Sequence, residues 1–234
     1  MDETGGGTAG DASIEGQEQD APEERGERRW PMAVAVLVAA VLHAMLPPEL
    51  RFQQSSWLPW TSSVILVAII IGDPGRINRV RTWLRVVTNL LIALITLANA
   101  YAAVALVVGI IDNASFETPR ELLGAGAAVW ITNVIAFALW YWDLDRGGAA
   151  QRARRSGRAP AFIFPEMQHP EHVRDGWYPT FIDYLAFSFA TATAFSPTDV
   201  SAVKPWAKAL VVCESLLSLA LAALVIARAI NVLA

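Results

Sequence analysis

The sequence predicts an all-α membrane protein with four transmembrane helices, a short helix that dips into the bilayer and a final transmembrane helix. Of its 234 residues, 54% are hydrophobic, and several apolar runs approach twenty residues. A soluble core of this size could not bury so much apolar surface, whereas a bilayer can. A polar, proline-containing stretch separates the first four runs from a C-terminal pair. We therefore expect one polytopic membrane domain over residues 31–234.

Residues 1–30 form a predicted disordered tail. This segment is rich in glycine, contains nine acidic residues against three arginines, and lacks the apolar run of a secretory signal peptide. The net charge of −4 comes from this tail, so the chain gives no indication of nucleic-acid binding. The single cysteine, Cys213, excludes an intrachain disulfide.

Four apolar runs are long enough to cross a hydrocarbon core of about 30 Å at about 1.5 Å per residue, the first two only just. These predicted spans are residues 31–46, 57–72, 84–111 and 122–142. Proline, glycine or an Asp-Asn pair follows each of the first three. The aromatic rings of Trp140, Tyr141 and Trp142 are expected at the headgroup level, where such rings concentrate.

The arginines predict the orientation. Three precede the first span, four lie in residues 76–85 and five in residues 146–158, whereas the other two loops contain one each. By the positive-inside rule, the N-terminus and the end of the fourth span are cytoplasmic. Residues 146–180 then form a polar connector that is too irregular for the hydrocarbon region.

The C-terminal hairpin, residues 181–234, begins with the unusual stretch FIDYLAFSFATATAFSPTD. Aromatic residues at its start are followed by alanines and threonines, and Pro197 ends the helix. Asp183 is positioned to cap the first turn. About 15 helical residues extend only about 22 Å, which favours re-entry or a thinned crossing. The sequence leaves the side of the C-terminus open.

This stretch resembles the pore helix and filter of tetrameric potassium channels, which read approximately D-x-L-Y-F-S-x-x-T-x-T-T-V-G-Y-G-D. The matching residues are Asp183, Leu185, Phe187, Ser188, Thr191, Thr193 and Asp199. The resemblance covers about 50 residues and implies a pore-like region. The residues it assigns to the filter-like segment are Thr191, Thr193, Phe195, Ser196, Pro197, Thr198 and Asp199.

The resemblance does not include the residues that select potassium in those channels. Residues 195–198 replace Val-Gly-Tyr-Gly, and the lost glycines accept the positive φ that helps to point carbonyls at the ion. Pro197 fixes its own φ and restricts Ser196. The chain therefore lacks a standard potassium filter. The channel loop also enters from outside, whereas the arginines place this connector inside.

The chain also resembles an uncharacterised family of bacterial integral membrane proteins. The shared features are an F-x-F-P loop at residues 162–165, a D-(Y/F)-L-x-F-S-F helix, a Ser-x-x-Asp-Val turn at residues 196–200, and a final span ending near Asn231. This likeness implies a multi-pass protein of the bacterial plasma (inner) membrane and supports the architecture more than any activity.

The intramembrane polar candidates are Glu214, Ser218 and Arg228, which share one face of the last helix. A buried carboxylate is costly unless it is paired, hydrated or protonated. Glu214 is therefore either a proton or cation site on a short hydrated path, or a protonated acid hydrogen-bonded to a neighbouring helix. His169 and His172 lie in a connector that we expect to be solvated, without a metal.

We expect a channel-like or transport-related protein of unknown substrate, in contact with lipid and homo-oligomeric, tetrameric if channel-like. One hairpin cannot enclose a pore. The alternative is a non-conducting scaffold or interaction protein with a channel-derived fold. The sequence contains no catalytic motif and calls for no cofactor, so a membrane enzyme comes third.

Overall fold

A computed structural model describes residues 26–52, 57–72, 77, 82–112, 118–154, 157–173, 175–193 and 199–233. It is mostly helical, and three helices are long and apolar enough to cross a membrane. The described residues form eight α-helices: α1 (Trp30–Met45), α2 (Trp57–Gly72), α3 (Thr82–Ile111), α4 (Pro119–Leu144), α5 (Ala149–Ala153), α6 (Pro165–Gln168), α7 (Phe181–Thr193) and α8 (Pro205–Leu233). Two short strands are β1 (Phe162–Ile163) and β2 (Ser201–Ala202).

The prediction of a mostly helical membrane protein is confirmed. The three long apolar helices are α3, α4 and α8, and each predicted span coincides with a helix to within a few residues. Helices α1 and α2 have 16 residues each. At about 1.5 Å per residue they extend about 24 Å, less than a typical hydrocarbon core.

Helix α4 is the centre of the bundle. It packs against α1, α3, α7 and α8, and most of it is buried. Helix α8 is largely exposed and presents apolar side chains such as Val212, Leu216 and Leu219. In a bilayer, such a face lies against lipid or against another copy of the chain.

Helix α8 runs antiparallel to α4. Along α8, Glu214 contacts Tyr141, Ser218 contacts Asn133, and Val225 lies beside Gly126. The residue number on α4 thus falls as the number on α8 rises. The end of α4 and the start of α8 therefore share one end of the bundle.

Helix α7 also runs antiparallel to α4. The ring of Phe181 packs against Trp142, the hydroxyl of Ser188 donates to the carbonyl of Val134, and the ring of Phe189 packs against Trp130. Helices α7 and α8 therefore both begin at the end of the bundle where α4 finishes.

Strand β2 pairs antiparallel with β1 at this same end, with Phe162 opposite Ala202 and Ile163 opposite Ser201. Strand β1 is tied to the end of α4, because the backbone N–H of Ala161 donates to Asp145 Oδ1 at 2.6 Å. After α7, the chain has thus returned to the end from which α7 started.

The structure contradicts two predictions, one for a pair of aromatic side chains and one for Asp183. Tyr141 and Trp142 are buried among the helices instead of facing headgroups, because α7 covers this side of α4.

Asp183 also does not occupy the N-cap position. Its Oδ2 accepts hydrogen bonds from the backbone N–H of Thr180 at 2.7 Å and from the Thr180 hydroxyl at 2.8 Å. Asp183 therefore stabilises the first turn of α7 from inside the helix, as the acid of a capping box does.

Candidate functional site: a buried polar network on α4

Glu214 is the centre of the candidate site. It lies about two turns into α8, and its side chain is fully buried where α4, α7 and α8 meet. A carboxyl group at this depth needs polar partners, because no solvent reaches it. Each of the two neighbouring helices supplies one.

The Tyr141 hydroxyl on α4 donates to Glu214 Oε2 at 2.5 Å. The Ser188 hydroxyl on α7 contacts Glu214 Oε1, and it also lies 2.7 Å from the carbonyl oxygen of Val134. The carboxyl of Glu214 therefore joins α8 to both α4 and α7.

The number of protons available for these hydrogen bonds indicates whether the site suits a charged or a neutral Glu214. The Ser188 hydroxyl has a single proton but lies beside two acceptors, the Val134 carbonyl and Glu214 Oε1. If Glu214 is neutral, its own proton goes to Ser188, and the Ser188 proton goes to Val134. Tyr141 then donates to the other oxygen, so every proton has its own acceptor. The geometry thus suits a neutral carboxylic acid.

Aromatic rings close the network on the connector side. The rings of Tyr141, Phe162 and Phe187 pack against one another with centroids 5.0 to 5.3 Å apart. All three side chains are buried. Within one chain, the Glu214 carboxyl is therefore sealed from solvent by α4, α7 and the connector.

A second polar pair lies one turn further along α8. The side-chain amide of Asn133 donates to the Ser218 hydroxyl at 3.1 Å, and both residues are buried. Polar pairs of this kind hold membrane helices together. The predicted polar face of α8 is thus a contact surface with α4 at Glu214 and Ser218, whereas Arg228 is only half-buried and lies far from Glu214.

The start of α7 is anchored by Glu27, which the sequence analysis assigned to the tail. Glu27 is buried, with Oε1 accepting from the backbone N–H of Phe181 at 2.5 Å and Oε2 accepting from Trp142 Nε1 at 2.9 Å. An acid at a helix N-terminus satisfies unpaired N–H groups and the helix dipole. Burial raises the pKa of Glu27 above its ordinary value, against the lowering effects of both hydrogen bonds and of Arg152.

Arg152 is a fully buried cation behind this anchor. Its Nη1 donates to the carbonyls of Trp142 at 2.5 Å and Asp145 at 3.0 Å, and its Nη2 lies 3.9 Å from Glu27 Oε2. Its guanidinium lies 5.0 Å from the ring centroid of Tyr184, whose hydroxyl donates to Asp145 Oδ2 at 2.6 Å. These contacts fasten the connector to α4 and α7.

Among the filter-like residues that the structure describes, none hydrogen-bonds to this network. Thr191 is buried, and its hydroxyl has no hydrogen-bond partner among the residues that the structure describes. The Thr193 hydroxyl donates to the carbonyl of Ala190 at 3.0 Å, and Asp199 is exposed. The other four filter-like residues, Phe195, Ser196, Pro197 and Thr198, lie outside the described residues.

The connector brings His169, Glu171 and His172 together, with potential ligand atoms within 4.8 Å of one another. All three side chains are exposed. His169 Nδ1 lies 3.3 Å from Glu171 Oε1, a contact typical of a solvated loop.

The sequence could have revealed part of this site. Glu214, Ser218, Ser188 and Asn133 are polar residues in apolar runs, which is the available signal. Glu27 gave no such signal, since it lies among many other acids before the first apolar run.

Comparison with known proteins does not assign the chain to a family. No protein-family model, curated protein or solved structure matches it.

Proposed function

We propose that this chain is a multi-pass protein of the bacterial plasma membrane with a channel-like, re-entrant α7–α8 hairpin and a transport-related function. The observation that supports this proposal is the shared starting point of α7 and α8 at one end of the bundle. A pore-loop arrangement consists of a helix that enters the bilayer, a segment that returns, and a second helix that starts from the same side. Helices α1, α2, α3 and α4 would be the four preceding spans.

The conducting path would lie between copies of the chain. Glu214 and Ser218 are fully buried, so the inside of one chain offers them no aqueous path. The largely exposed face of α8 is apolar and long enough for contacts between subunits. We therefore propose a homo-oligomer, a tetramer if the likeness to channels extends to symmetry. The substrate is unknown, and a standard potassium filter is absent from the sequence.

The proposed orientation has the N-terminus and the connector in the cytoplasm, following the arginine distribution. The hairpin would then open toward the cytoplasm, and the C-terminus of α8 would lie on the opposite side.

Labelling of single cysteines from either side of the membrane tests re-entry. In a Cys213→Ala background, Asp175→Cys lies before α7, Val203→Cys lies before α8, and Asp112→Cys at the end of α3 marks the opposite side. All three positions are exposed. We expect a membrane-impermeant maleimide to label positions 175 and 203 from one side and position 112 from the other. Labelling of positions 175 and 203 from opposite sides would contradict re-entry.

Conductance tests the function. The full chain, with its oligomer number verified by native mass measurement in mild detergent, is reconstituted into planar bilayers. We expect ion flux from the oligomer. An oligomer that conducts at no pH or voltage would refute the channel-like function.

The alternative is a non-conducting scaffold or interaction protein. It is favoured by the observation that Glu214 and Asn133 are hydrogen-bonded within the chain, as helix-joining groups would be. A monomer or a complex with a different protein in mild detergent would support the scaffold, whereas a homotetramer would count against it.

A further inference from the structure

A cavity of about 980 Å³ that is largely open to the surface lies at the end of the bundle where α4 finishes and α8 begins. Its lining includes four basic residues, Arg85, Arg146, Arg158 and Lys204. No acidic residue lines it among those that the structure describes. This charge distribution indicates an anionic ligand.

Two nearby acids offset only part of this positive charge. Asp143 interacts electrostatically with Arg85, and Asp145 Oδ2 lies 3.8 Å from Arg146 Nε. Asp145 also accepts hydrogen bonds from Ala161 and Tyr184. In the part of the chain that the structure describes, the side chains of Arg158 and Lys204 form no hydrogen bond or ion pair. At least two cations thus remain available to a ligand.

The backbone after α4 is shaped around this cavity. Arg146 has a φ of 50°, a left-handed conformation that is unusual for a residue with a side chain. Gly147 follows with a φ of 84°, and a Cβ atom there would clash with Nη1 of Arg158. The turn therefore brings the guanidinium of Arg158 close to the backbone beside Arg146.

The remaining lining is apolar and continues along α8. The apolar lining includes Leu144, Ala209, Leu210 and Cys213, the last of which lies about two turns from the start of α8. Trp206, which is partly exposed, also lines the cavity, and such aromatic side chains are common at membrane interfaces. A basic end beside an apolar wall on a membrane-spanning helix matches a lipid, with its phosphate at one end and acyl chains at the other.

We propose that this cavity binds the phosphate of an anionic membrane lipid, held by Arg158 and Lys204 together with Arg146. Arg158 would form paired hydrogen bonds to the phosphate oxygens, whereas Lys204 and Arg146 would supply charge, because Nη2 of Arg146 already donates to Met167 Sδ at 3.1 Å. The acyl chains would lie along the apolar wall of the cavity, at Leu210 and Cys213. This inference requires the chain to reside in a membrane but does not depend on whether it conducts.

Lipid retention by the purified full chain tests the proposal. Native mass spectrometry in detergent compares phosphatidylglycerol, which is anionic, with phosphatidylcholine, which is zwitterionic. We expect preferential retention of phosphatidylglycerol. We also expect Arg158→Gln to weaken it roughly fivefold, the effect of losing one cation near a lipid phosphate.

Lys208→Gln is the matched control, because Lys208 is an exposed cation one turn from Lys204 that does not line the cavity. It should change retention by less than about twofold, since only general attraction is lost. Equal losses in Arg158→Gln and Lys208→Gln would refute a specific site.

Inorganic phosphate distinguishes the two sources of this ligand chemistry. Excess phosphate should displace little phosphatidylglycerol, because it gains nothing from the apolar wall. Displacement at phosphate concentrations similar to those of the lipid would overturn the lipid assignment. Equal retention of phosphatidylcholine would overturn the requirement for an anion.

Discussion

The hydroxyl group of Ser188 on α7 contacts the carboxyl group of Glu214 on α8, where both side chains are fully buried. The same hydroxyl lies within hydrogen-bond distance of the Val134 carbonyl on α4. Ser188 therefore links three helices. Because its single proton can serve only one of its two acceptors, the arrangement favours a neutral Glu214.

Replacing Glu214 with glutamine should change stability little. The glutamine carbonyl accepts from Tyr141, its amide donates to Ser188, and Ser188 still donates to Val134. Glu214→Ala should lower the free energy of unfolding by about 2–4 kcal/mol, because it leaves the Tyr141 hydroxyl unpaired and creates a cavity. Thermal unfolding in detergent, followed by tryptophan fluorescence, measures both. A loss for Glu214→Gln as large as that for Glu214→Ala would show that the acid must be ionised.

Asn133 and Ser218 should be energetically coupled across α4 and α8. A double-mutant cycle of Asn133→Ala and Ser218→Ala is expected to give a coupling of about 0.5–1.5 kcal/mol, typical of buried polar pairs between membrane helices. The cycle is measured by the same unfolding assay. Additive effects would mean that the 3.1 Å contact contributes no net stability.

Gly126 should tolerate no side chain, unlike its neighbour Gly124. A Cβ atom at Gly126 would lie 2.7 Å from Cγ1 of Val225, whereas a Cβ atom at Gly124 meets nothing within 4 Å. Gly126→Ala should therefore destabilise the α4–α8 contact by about 1–3 kcal/mol. Gly124→Ala should be neutral or slightly stabilising, because alanine favours helix.

Val225→Ala provides the check on this interpretation. Combined with Gly126→Ala, it removes the methyl groups that would clash and should recover part of the lost melting temperature. If the double variant shows no recovery, the destabilisation by Gly126→Ala does not arise from the contact with Val225.

Glu27 should make stability depend on pH. Its pKa in the folded chain is raised by burial, so its contribution is fully present below the unfolded pKa of about 4.3 and declines as pH rises through the folded pKa. Glu27→Gln cannot ionise and should lack this decline, although it is less stable at low pH because its amide cannot accept both hydrogen bonds. Melting temperatures from pH 4 upward measure the difference. Parallel profiles for both proteins would exclude Glu27 as the titrating group.

Much of the secondary structure follows from local features of the sequence. The apolar runs predicted α1, α2, α3, α4 and α8 to within a few residues, because helix length and breakers are encoded within each segment. The polar residues of α8 were identified in the same way. Their partners were not, because a periodic pattern shows which residues share a face but not what packs against it.

Local patterns along the chain therefore predict a helical membrane protein with an acidic group within its last span. Only the packing of the helices pairs Glu214 with Tyr141, 73 residues away, and with Ser188, 26 residues away. It also decided that Glu27 anchors the start of α7 from 154 residues away. The physical reason is that burial obliges each polar group to find a partner, and packing of distant helices determines which partner is within reach.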